Sequence, residues 1–455
     1  MRYEAIVIGS GQAGVPLATR LAEAGRRVLL VERAQLGGTC VNTGCTPTKT
    51  MVASARAAHV ARNAGRLGVQ TGEVKVDLAA VVSRKDRLVR QWQEGIERRL
   101  KRAGERLTLL RGHARFGGPR AIEVDGQRHD AELVVINVGG RPVVPKLPGL
   151  EGVNVLDNRT VMELQELPRH LIVLGGGYIG CELAQMFRRF GSEVTIVEGQ
   201  AHLMAMEDQD VSEALEDVFR KEGLRLELGA PVQSVAHDGG EVVLRLEGRE
   251  VRGSHLLVAV GRRPNTEDLG CEAAGIMRDA RGYIEVDEHY RTNVEGIFAV
   301  GDATPGPQFT HASWDDHRLL FDHLMGRTAR RRDERRIPIT AFTDPQVARV
   351  GLTEREASAK GVAFEVARMP FGDIARAIET DETAGTMTIL IDPATERILG
   401  ASIVGLESGE LIHVFVALMA AGVSARVLVD AEAVHPTLAE GLQTLLMKLP
   451  RFELH

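Results

Sequence analysis

The stretch that decides the fold stands at the beginning of the chain, where residues 3–14 read YEAIVIGSGQAG. An apolar run typical of a buried strand leads into Gly9, Gly11 and Gly14 at G-x-G-x-x-G spacing. A stretch with helical periodicity follows, and a second apolar run ends at Glu32. The glycines let the backbone approach a pyrophosphate at the start of a helix, and the acid can accept hydrogen bonds from ribose hydroxyls. The stretch therefore predicts a Rossmann-type dinucleotide site.

The same pattern returns in the middle of the chain, where residues 171–180 read LIVLGGGYIG. The glycines of this second copy are Gly175, Gly177 and Gly180, and Glu198 follows the first of them at the same distance as in the first copy. An ordinary tight turn could explain one such motif, but not two copies with the same pattern of strand, helix and acid. We therefore predict two dinucleotide sites.

The second site is predicted to bind a nicotinamide dinucleotide, and the first, which is close to two cysteines in the sequence, a redox cofactor. Glu198 at the end of the second copy would repel the 2′-phosphate of NADPH. Residues 199–204 contain no arginine or lysine that could neutralise that phosphate. The sequence therefore favours NADH as the reductant, with NADPH as the alternative.

Length and composition indicate a multidomain globular protein without a nucleic-acid or membrane partner. A chain of 455 residues is too long for one core and predicts about three domains. The formal net charge of −6 gives no basic surface for nucleic acid, and no apolar run approaches the ~20 residues that span a bilayer. Because a strand begins at Tyr3, no secretory signal is predicted, and a cytoplasmic location is expected.

Two of the four cysteines are close together in residues 37–49, which read GGTCVNTGCTPTK. Cys40 and Cys45 are five positions apart, whereas Cys181 and Cys271 are isolated. Three interpretations of the close pair compete. A structural disulfide is rare in a cytosolic protein, and a zinc site needs further ligands, for which only distant histidines are present. A redox-active disulfide fits best, and Cys181 is expected to be a small buried side chain.

The residues after Cys45 have the composition of a helix start, because Thr46 and Pro47 follow it directly. The positive end of a helix dipole stabilises a thiolate, which lowers the pKa of a thiol at that position and raises its reactivity. The sequence therefore predicts a reactive Cys45 at the beginning of a helix.

Six motifs, in order along the chain, resemble those of the class I pyridine nucleotide–disulfide oxidoreductases, which include glutathione reductase, dihydrolipoamide dehydrogenase and mercuric reductase. The motifs are residues 37–49, 137–142, 175–182, 260–265, 297–302 and 435–440. The resemblance extends over essentially the whole chain. No metal site is predicted.

This resemblance implies an α/β fold with two Rossmann-type dinucleotide-binding domains, one for FAD and one for NAD, and an α+β C-terminal dimerisation domain that builds a homodimer. A strand-like run at residues 386–391 and a helical stretch at 411–421 fit an α+β domain. The expected boundaries are 1–147 and 265–335 for the FAD-binding domain, 148–264 for the NAD(P)-binding domain and 336–455 for the interface domain.

The resemblance also implies roles for the cysteines and their neighbours. Cys45 is expected to lie against the flavin and to form the charge-transfer thiolate, and Cys40 to be the interchange thiol that attacks the substrate. Lys49 is one helical turn beyond Cys45 and is expected to pair with Glu182. Tyr178 corresponds to a residue that covers the nicotinamide pocket in several members of the family.

His435 is expected to be the acid–base residue, because histidine titrates near neutral pH and can exchange a proton with the interchange thiol. The resemblance implies that Glu440 orients His435 and that His435 reaches into the active site of the other subunit. Asp302 is expected to hold the ribityl chain of the flavin. Gly139 and Gly261 lie in matched motifs and complete the expected cofactor-binding set.

Within the family, residues 341–348 look most like mercuric reductase, but other features argue against that activity. His435 stands where mercuric reductases carry tyrosine, residues 450–455 contain no vicinal cysteines, and no N-terminal metal-binding domain is expected. Dihydrolipoamide dehydrogenase is disfavoured by Ala433, where those enzymes usually carry a histidine, and by departures in the redox motif. Glutathione reductase is disfavoured by the acid at Glu198.

We therefore predict an NAD(P)H-dependent disulfide reductase whose small-molecule disulfide stays unassigned. Mercuric ion reductase and dihydrolipoamide dehydrogenase are the alternatives within the family. A redox sensor or a complex-bound scaffold is the alternative outside enzymes. The acid–base pair favours turnover, since a redox switch does not need one.

Overall fold

The computed structural model describes residues 2–327 and 330–453, and the chain divides into two compact units. The first unit comprises Met1–Thr50, Ala80–Val143 and Gly261–Arg335. The second unit comprises Met51–Ala79, Val144–Val260 and Arg336–His455. The four-part domain assignment made from the sequence stays a prediction. Among the described residues, no helix is both long enough and apolar enough to cross a bilayer.

A seven-stranded sheet forms the centre of the first unit. Its five parallel strands are, in order across the sheet, Leu107–Arg111, Val28–Glu32, Arg2–Ile8, Gln127–Ile136 and Ile297–Ala299. The antiparallel strands Ala121–Val124 and Arg115–Gly118 continue the sheet from the start of Gln127–Ile136. A separate antiparallel pair joins Gly140–Pro142 to Arg262–Pro264.

The apolar runs of the sequence form the strands that are buried on both faces. All five residues of Val28–Glu32 are buried, as expected for a parallel strand covered by other elements on each side. On one face the sheet packs against Leu17 and Leu21 of the helix Gly14–Glu23. Each leucine is fully buried and contributes about 2 kcal/mol of stabilisation. The helices Gly38–Asn42, Cys271–Ala274 and Thr310–Leu324 also lie in the first unit, which contains most of Leu78–Arg102 as well. The helix Cys45–Asn63 begins in the first unit and continues in the segment Met51–Ala79 of the second.

The second unit contains a parallel sheet that repeats the Rossmann pattern. Its strands are, in order, Arg225–Glu227, Glu193–Val197, His170–Leu174, His255–Val258 and Val155–Leu156. The helices of this part are Tyr178–Phe190 and Gln209–Lys221. A three-stranded antiparallel sheet of Ser234–Asp238, Glu241–Leu246 and Arg249–Gly253 packs beside it.

The C-terminal part of the second unit is a five-stranded antiparallel sheet with helices. The strands are, in order, Ile339–Ala341, Gln346–Gly351, Ile398–Gly405, Thr386–Ile391 and Glu365–Pro370. The helices are Glu354–Ala359, Ala375–Glu379, Ser408–Ala421, Arg426–Val429 and Glu440–Leu446. The strand predicted at residues 386–391 and the helix predicted at 411–421 are both present. The predicted fold class, α/β with two Rossmann-type parts and an α+β C-terminal part, is confirmed.

A buried histidine makes the first unit sensitive to acid. His317 lies on the helix Thr310–Leu324 and is 3% exposed. Burial lowers the pKa of its imidazole from 6.5 to about 4, and the nearby charges of Arg20 and Arg318 act in the same direction. The unfolded chain takes up this proton near pH 6.5 and the folded chain does not. The folded state therefore loses stability as the pH falls from about 6.5 to about 4.

We expect His317→Gln to remove this part of the acid sensitivity. Up to about 3 kcal/mol of the fall in the free energy of unfolding over that pH range should disappear. Urea unfolding at a series of pH values measures the effect. The same substitution at His237, which is exposed, is the control and should leave the pH profile as in the unmodified chain. If the free energy of unfolding of the His317→Gln chain fell with decreasing pH as steeply as that of the unmodified chain, His317 would not be a neutral buried imidazole.

Candidate active site

The first glycine turn, residues 9–14, lies between the strand Arg2–Ile8 and the helix that begins at Gly14. Gly9 has a φ of +102°, and a Cβ atom there would lie 2.2 Å from the carbonyl oxygen of Asn137. Only glycine fits such a position. The side-chain amide of Asn137 donates to the carbonyl oxygen of Gly9 at 3.2 Å. The turn is therefore fixed against the neighbouring strand, at the helix start that can bind a pyrophosphate.

Glu32 is buried at the end of its strand and holds this glycine turn. Its Oε2 accepts hydrogen bonds from the N–H and the hydroxyl of Ser10, at 2.9 Å and 2.6 Å. Its Oε1 accepts from the N–H of Ala34 at 2.8 Å. A carboxylate has about four acceptor positions, so one is left for a ribose hydroxyl. The sequence predicted a ribose acceptor here but not its second task of holding the turn.

The second glycine turn, residues 175–180, has the same construction. Gly175 has a φ of +111°, and a Cβ atom on Gly180 would lie 2.0 Å from the carbonyl oxygen of Gly175. Oε2 of Glu198 accepts a hydrogen bond from the N–H of Gly176 at 2.6 Å. In both turns the acid binds the N–H that follows the first glycine. The two copies therefore share their hydrogen bonding as well as their spacing.

Tyr178 is the first residue of the helix Tyr178–Phe190 and follows Gly177 directly. Its hydroxyl donates to Glu207, and the other carboxylate oxygen of Glu207 accepts from Nε of Arg349 at 2.8 Å. The side chains of Glu207 and Arg349 are 1% and 10% exposed. Burial and the neighbouring carboxylate raise the pKa of the Tyr178 hydroxyl above its usual range. Sequence reasoning missed both partners, because no local spacing connects them to Tyr178.

The cysteine-bearing segment packs directly against the first glycine turn. The N–H of Gly37 donates to the carbonyl oxygen of Ser10 at 3.2 Å. A Cβ atom on Gly38, whose φ is +61°, would lie 2.9 Å from Cα of Gly11. Two motifs that are separate in the sequence are therefore in contact, and a dinucleotide in the first turn would lie beside the cysteines.

Cys40 and Cys45 occupy two neighbouring helices. Cys40 is in the helix Gly38–Asn42, and Cys45 is the first residue of the helix Cys45–Asn63, as its sequence context predicted. The sulfur of Cys45 lies 3.0 Å from the hydroxyl oxygen of Thr310. Sequence reasoning did not identify Thr310, which is far from both cysteines along the chain.

The neighbours of Cys40 make its thiol difficult to ionise. A hydrogen bond with Cys45, together with burial, raises the pKa of the Cys40 thiol well above its usual range. The Thr310 hydroxyl and the positive charge of Lys49 lower that pKa and offset the rise only in part. Lys49 lies on the same helix as Cys45, close enough to act on the sulfur pair. Cys40 therefore needs a base to give up its proton.

Glu182 and Cys181 lie on the helix that follows the second glycine turn. Glu182 is 5% exposed, and its Oε1 accepts a hydrogen bond from the N–H of Phe342 at 2.7 Å. Its pairing with Lys49 stays a prediction. Cys181 is fully buried, as predicted, and its thiol donates to the carbonyl oxygen of Gly176 at 3.2 Å. Cys181 is thus a packing residue of the second turn.

Asp302 and Arg262 meet in the first unit. Nη2 of Arg262 donates to the carboxylate of Asp302 at 3.2 Å and to the carbonyl oxygen of Gly140 at 2.9 Å. Burial raises the pKa of Asp302, and Arg262 opposes this rise. Nε of Arg262 is buried and has no hydrogen-bond partner within residues 2–327 and 330–453. The hydroxyls of a bound cofactor would supply a hydrogen-bond acceptor for this buried N–H, beside the buried carboxylate of Asp302.

Gly139 and Gly261 each precede one strand of the small antiparallel pair. Their φ values are +67° and +127°. The carbonyl oxygen of Gly139 accepts from the N–H of Asn265, and that of Gly261 from the N–H of Val143, each at 2.9 Å. The two glycines therefore close both ends of the pair that carries Arg262.

The structure brings His435 and Glu440 together in the second unit. Nδ1 of His435 lies 2.9 Å and 3.2 Å from the two carboxylate oxygens of Glu440. Glu440 begins the helix Glu440–Leu446, and its N–H donates to the hydroxyl of Thr437 at 3.2 Å. The His435 side chain is 70% exposed, whereas that of Glu440 is 18% exposed. The carboxylate is thus fixed by its helix, and the imidazole that it orients projects to the surface.

Two family models match the chain. The model for pyridine nucleotide-disulphide oxidoreductases matches residues 3–316, and the model for their dimerisation domain matches residues 337–446. The two matches follow one another along the chain and together account for most of it.

Individual proteins match over nearly the full length. A mercuric reductase from Staphylococcus aureus is 35% identical over 446 residues, which cover 97% of this chain and 81% of the relative. A dihydrolipoyl dehydrogenase from Thermus scotoductus is 34% identical over 461 residues, which cover 100% of this chain and 98% of the relative. One similar solved structure is the Cu(II) complex of the HOCl-induced flavoprotein disulfide reductase RclA from Escherichia coli. It matches this chain with a TM-score of 0.90 at 35% sequence identity, and the match covers 98% of this chain and 99% of RclA.

Proposed function

Because the chain belongs to the pyridine nucleotide–disulfide oxidoreductase family and is a flavin-dependent, NAD(P)H-dependent disulfide reductase, we propose that its Cys40 and Cys45 take electrons from NADH and reduce a small disulfide. The observation that carries the proposal is the pair of cysteines on two neighbouring helices, in a segment that packs against the first glycine turn through Gly38. When bound, FAD supplies the two-electron relay between the nicotinamide and the cysteines.

The polar groups of both turns fit the two cofactors. The first glycine turn with Glu32 would hold FAD, and Arg262 and Asp302 supply a buried N–H and a carboxylate for its hydroxyls. The second glycine turn with Glu198 would hold the nicotinamide dinucleotide. Tyr178, at the start of the second helix, would cover its nicotinamide end.

The cysteine chemistry is a thiol–disulfide exchange in two steps. The Cys40 thiolate attacks one sulfur of the substrate disulfide, the substrate S–S bond breaks, and one substrate thiolate leaves with the proton that Cys40 gave up. The Cys45 thiolate then attacks the Cys40 sulfur of the mixed disulfide and displaces the second substrate thiolate. The Cys40–Cys45 disulfide forms, and two electrons have passed to the substrate.

Cys40 needs a base for the first step, because its hydrogen bond to Cys45 and its burial raise its pKa. We propose that His435 accepts this proton and returns it to the leaving thiolate, oriented by Glu440. The proposed source is His435 of the other copy in a homodimer. The match to a dimerisation domain supports this assembly.

NADH is expected to be the better reductant, with a kcat/KM at least about tenfold above that for NADPH, a difference of about 1.4 kcal/mol. Glu198 is held by the N–H of Gly176 and cannot turn away from a 2′-phosphate without losing that bond. Steady-state kinetics with each reductant and one disulfide measure the ratio.

The matched variant for this test is Glu198→Gln, which keeps an acceptor for Gly176 and removes the charge. Its preference for NADH should shrink, whereas Glu105→Gln at an exposed position should not change it. A higher specificity constant for NADPH in the unmodified chain would reject the NADH assignment.

Mercuric ion reduction is the second candidate, because one relative is a mercuric reductase and two adjacent thiols are a soft ligand set for such an ion. A panel of lipoamide, glutathione disulfide, coenzyme A disulfide and mercuric ion, each with NADH, separates the candidates. Repeated turnover with a disulfide supports the proposal. If every compound oxidised the cysteine pair once and no further turnover followed, a redox sensor would be favoured.

We propose a cytoplasmic location for this reaction, because a thiol pair can be kept reduced there.

A further inference from the structure

We infer that Thr310 is a positioning residue that holds the Cys45 sulfur as a thiolate and thereby fixes which of the two cysteines ionises first. The inference deepens the proposed function and rests on the redox role of Cys40 and Cys45. Its test measures a single thiol and an equilibrium, so that it can fail independently of turnover.

The geometry places the Cys45 sulfur at the beginning of two helices. Cys45 is the first residue of the 19-residue helix Cys45–Asn63, and its Sγ lies 3.0 Å from Oγ1 of Thr310. Thr310 is itself the first residue of the 15-residue helix Thr310–Leu324. The positive ends of both helix dipoles therefore point towards one sulfur, and both favour a negative charge there.

The hydrogen bond selects the ionised form of Cys45. A thiolate can only accept, so the Thr310 hydroxyl must donate to it, and a bond to a charged acceptor is roughly twice as strong as a neutral one. A neutral thiol makes a weaker bond to the same hydroxyl, whichever group donates. Thr310 thus stabilises the thiolate more than the thiol.

A hydroxyl has one proton, which Thr310 can donate to only one sulfur at a time. Thr310 also lowers the pKa of Cys40, but that thiol remains dominated by its hydrogen bond with Cys45 and by burial. When Thr310 donates to Cys45, to which it lies at 3.0 Å, Cys40 loses that donor and stays protonated until a base removes its proton.

Thr310 is well placed to act as a fixed donor. Its helix is anchored at the preceding residue, because the carbonyl oxygen of Phe309 accepts the N–H of Ser313 at 3.0 Å. The side-chain amide of Gln308 donates to the hydroxyl of Tyr283 at 3.0 Å. The two residues before Thr310 are therefore held by its own helix and by Tyr283.

The same bond affects the dithiol–disulfide equilibrium. When the disulfide forms, the two cysteines lose two electrons and their protons, and the disulfide of a redox buffer gains them and splits into two thiols. Thr310 acts on the reduced form, which carries the thiolate. Removing its hydroxyl should therefore make the pair easier to oxidise and shift its potential to a more negative value.

The first experiment uses the Cys40→Ser chain, in which Cys45 is the one remaining thiol of the pair. The rate of alkylation of Cys45 by iodoacetamide is followed against pH by peptide mass spectrometry, which separates it from Cys181 and Cys271. Adding Thr310→Val, which keeps the shape and removes the hydroxyl, should move the midpoint of the profile up by about one pH unit or more. Thr310→Ser, which keeps the hydroxyl, should restore it.

The second experiment equilibrates chains with both cysteines in buffers of reduced and oxidised glutathione. The Thr310→Val chain should favour the disulfide about tenfold more than the unmodified chain, which corresponds to about 30 mV. Circular dichroism checks folding, and Thr310→Ala replaces the valine variant if that one does not fold. The inference is overturned if removal of the Thr310 hydroxyl changes neither the pH midpoint of Cys45 alkylation nor the dithiol–disulfide equilibrium. NADH-driven turnover of the unmodified chain remains the separate test of the proposed function.

Discussion

A Cys40→Ser chain is expected to lose NADH-driven disulfide reduction by about 10⁴-fold or more, because removal of a covalent nucleophile eliminates the reaction path rather than slowing one step of it. A serine hydroxyl cannot form the mixed disulfide, and no second cysteine can replace it. Cys45 lies in the same site, but without Cys40 no second thiol is left there to release a mixed disulfide formed on Cys45. Cys181 and Cys271 are both fully buried. The steady-state rate with a disulfide and NADH measures the loss.

Mass labelling separates this loss from a failure to receive electrons. In the unmodified chain, NADH should convert Cys40 and Cys45 from a protected disulfide to two thiols that iodoacetamide labels. In the Cys40→Ser chain, Cys45 should be labelled whether or not NADH is present. Cys271→Ser is the matched control and should keep its turnover, since that thiol is buried among apolar residues. Turnover that survives Cys40→Ser would place the reduction of the substrate elsewhere.

The elements that the sequence predicted correctly are those whose signal is local. The two glycine turns and the helix that begins at Cys45 follow from spacing within about 25 residues, because strand, turn and helix are consecutive in the chain. The close packing of Gly38 on Gly11 is also the result of a short connection. In each case the residues that must meet are brought together by one supersecondary unit.

The partners that the sequence did not predict are supplied by distant segments. Thr310 is 265 positions from Cys45, and Arg349 is 142 positions from Glu207. Arg262 is 40 positions from Asp302. No periodicity or spacing links such pairs, because their contact depends on how sheets and helices pack. Hydroxyl and guanidinium groups are also common on surfaces, so their residue type gave no signal.

The acids at the ends of the two Rossmann strands show an intermediate case. Their position was predicted from the offset to the glycines, and their hydrogen bonds to Ser10 and Gly176 were not. The sequence shows that a carboxylate must be there, whereas its orientation depends on the backbone N–H groups of the turn. A single acid can therefore both hold a turn and bind a ribose, and a substitution there affects folding and binding together.

The second large effect is expected for His435. A His435→Ala chain should reduce a disulfide on the order of 10³-fold more slowly, since a positioned acid–base group contributes about 10²–10⁴-fold. Labelling of the two cysteines after NADH should be as in the unmodified chain, because the histidine acts only on the proton of Cys40. Glu440→Gln should have a smaller effect, since it keeps a hydrogen-bond acceptor for Nδ1 of His435.

Mixing the two inactive chains tests whether His435 acts across a homodimer. In a mixed dimer, the Cys40 of the His435→Ala chain would face the intact His435 of the Cys40→Ser chain, so that one of the two sites is complete. A random one-to-one mixture after subunit exchange should then recover about a quarter of the activity of the unmodified chain. If each site instead used its own histidine, neither site of the mixed dimer would be complete and no activity would return. Recovery would therefore establish the homodimer and the source of the base in one measurement.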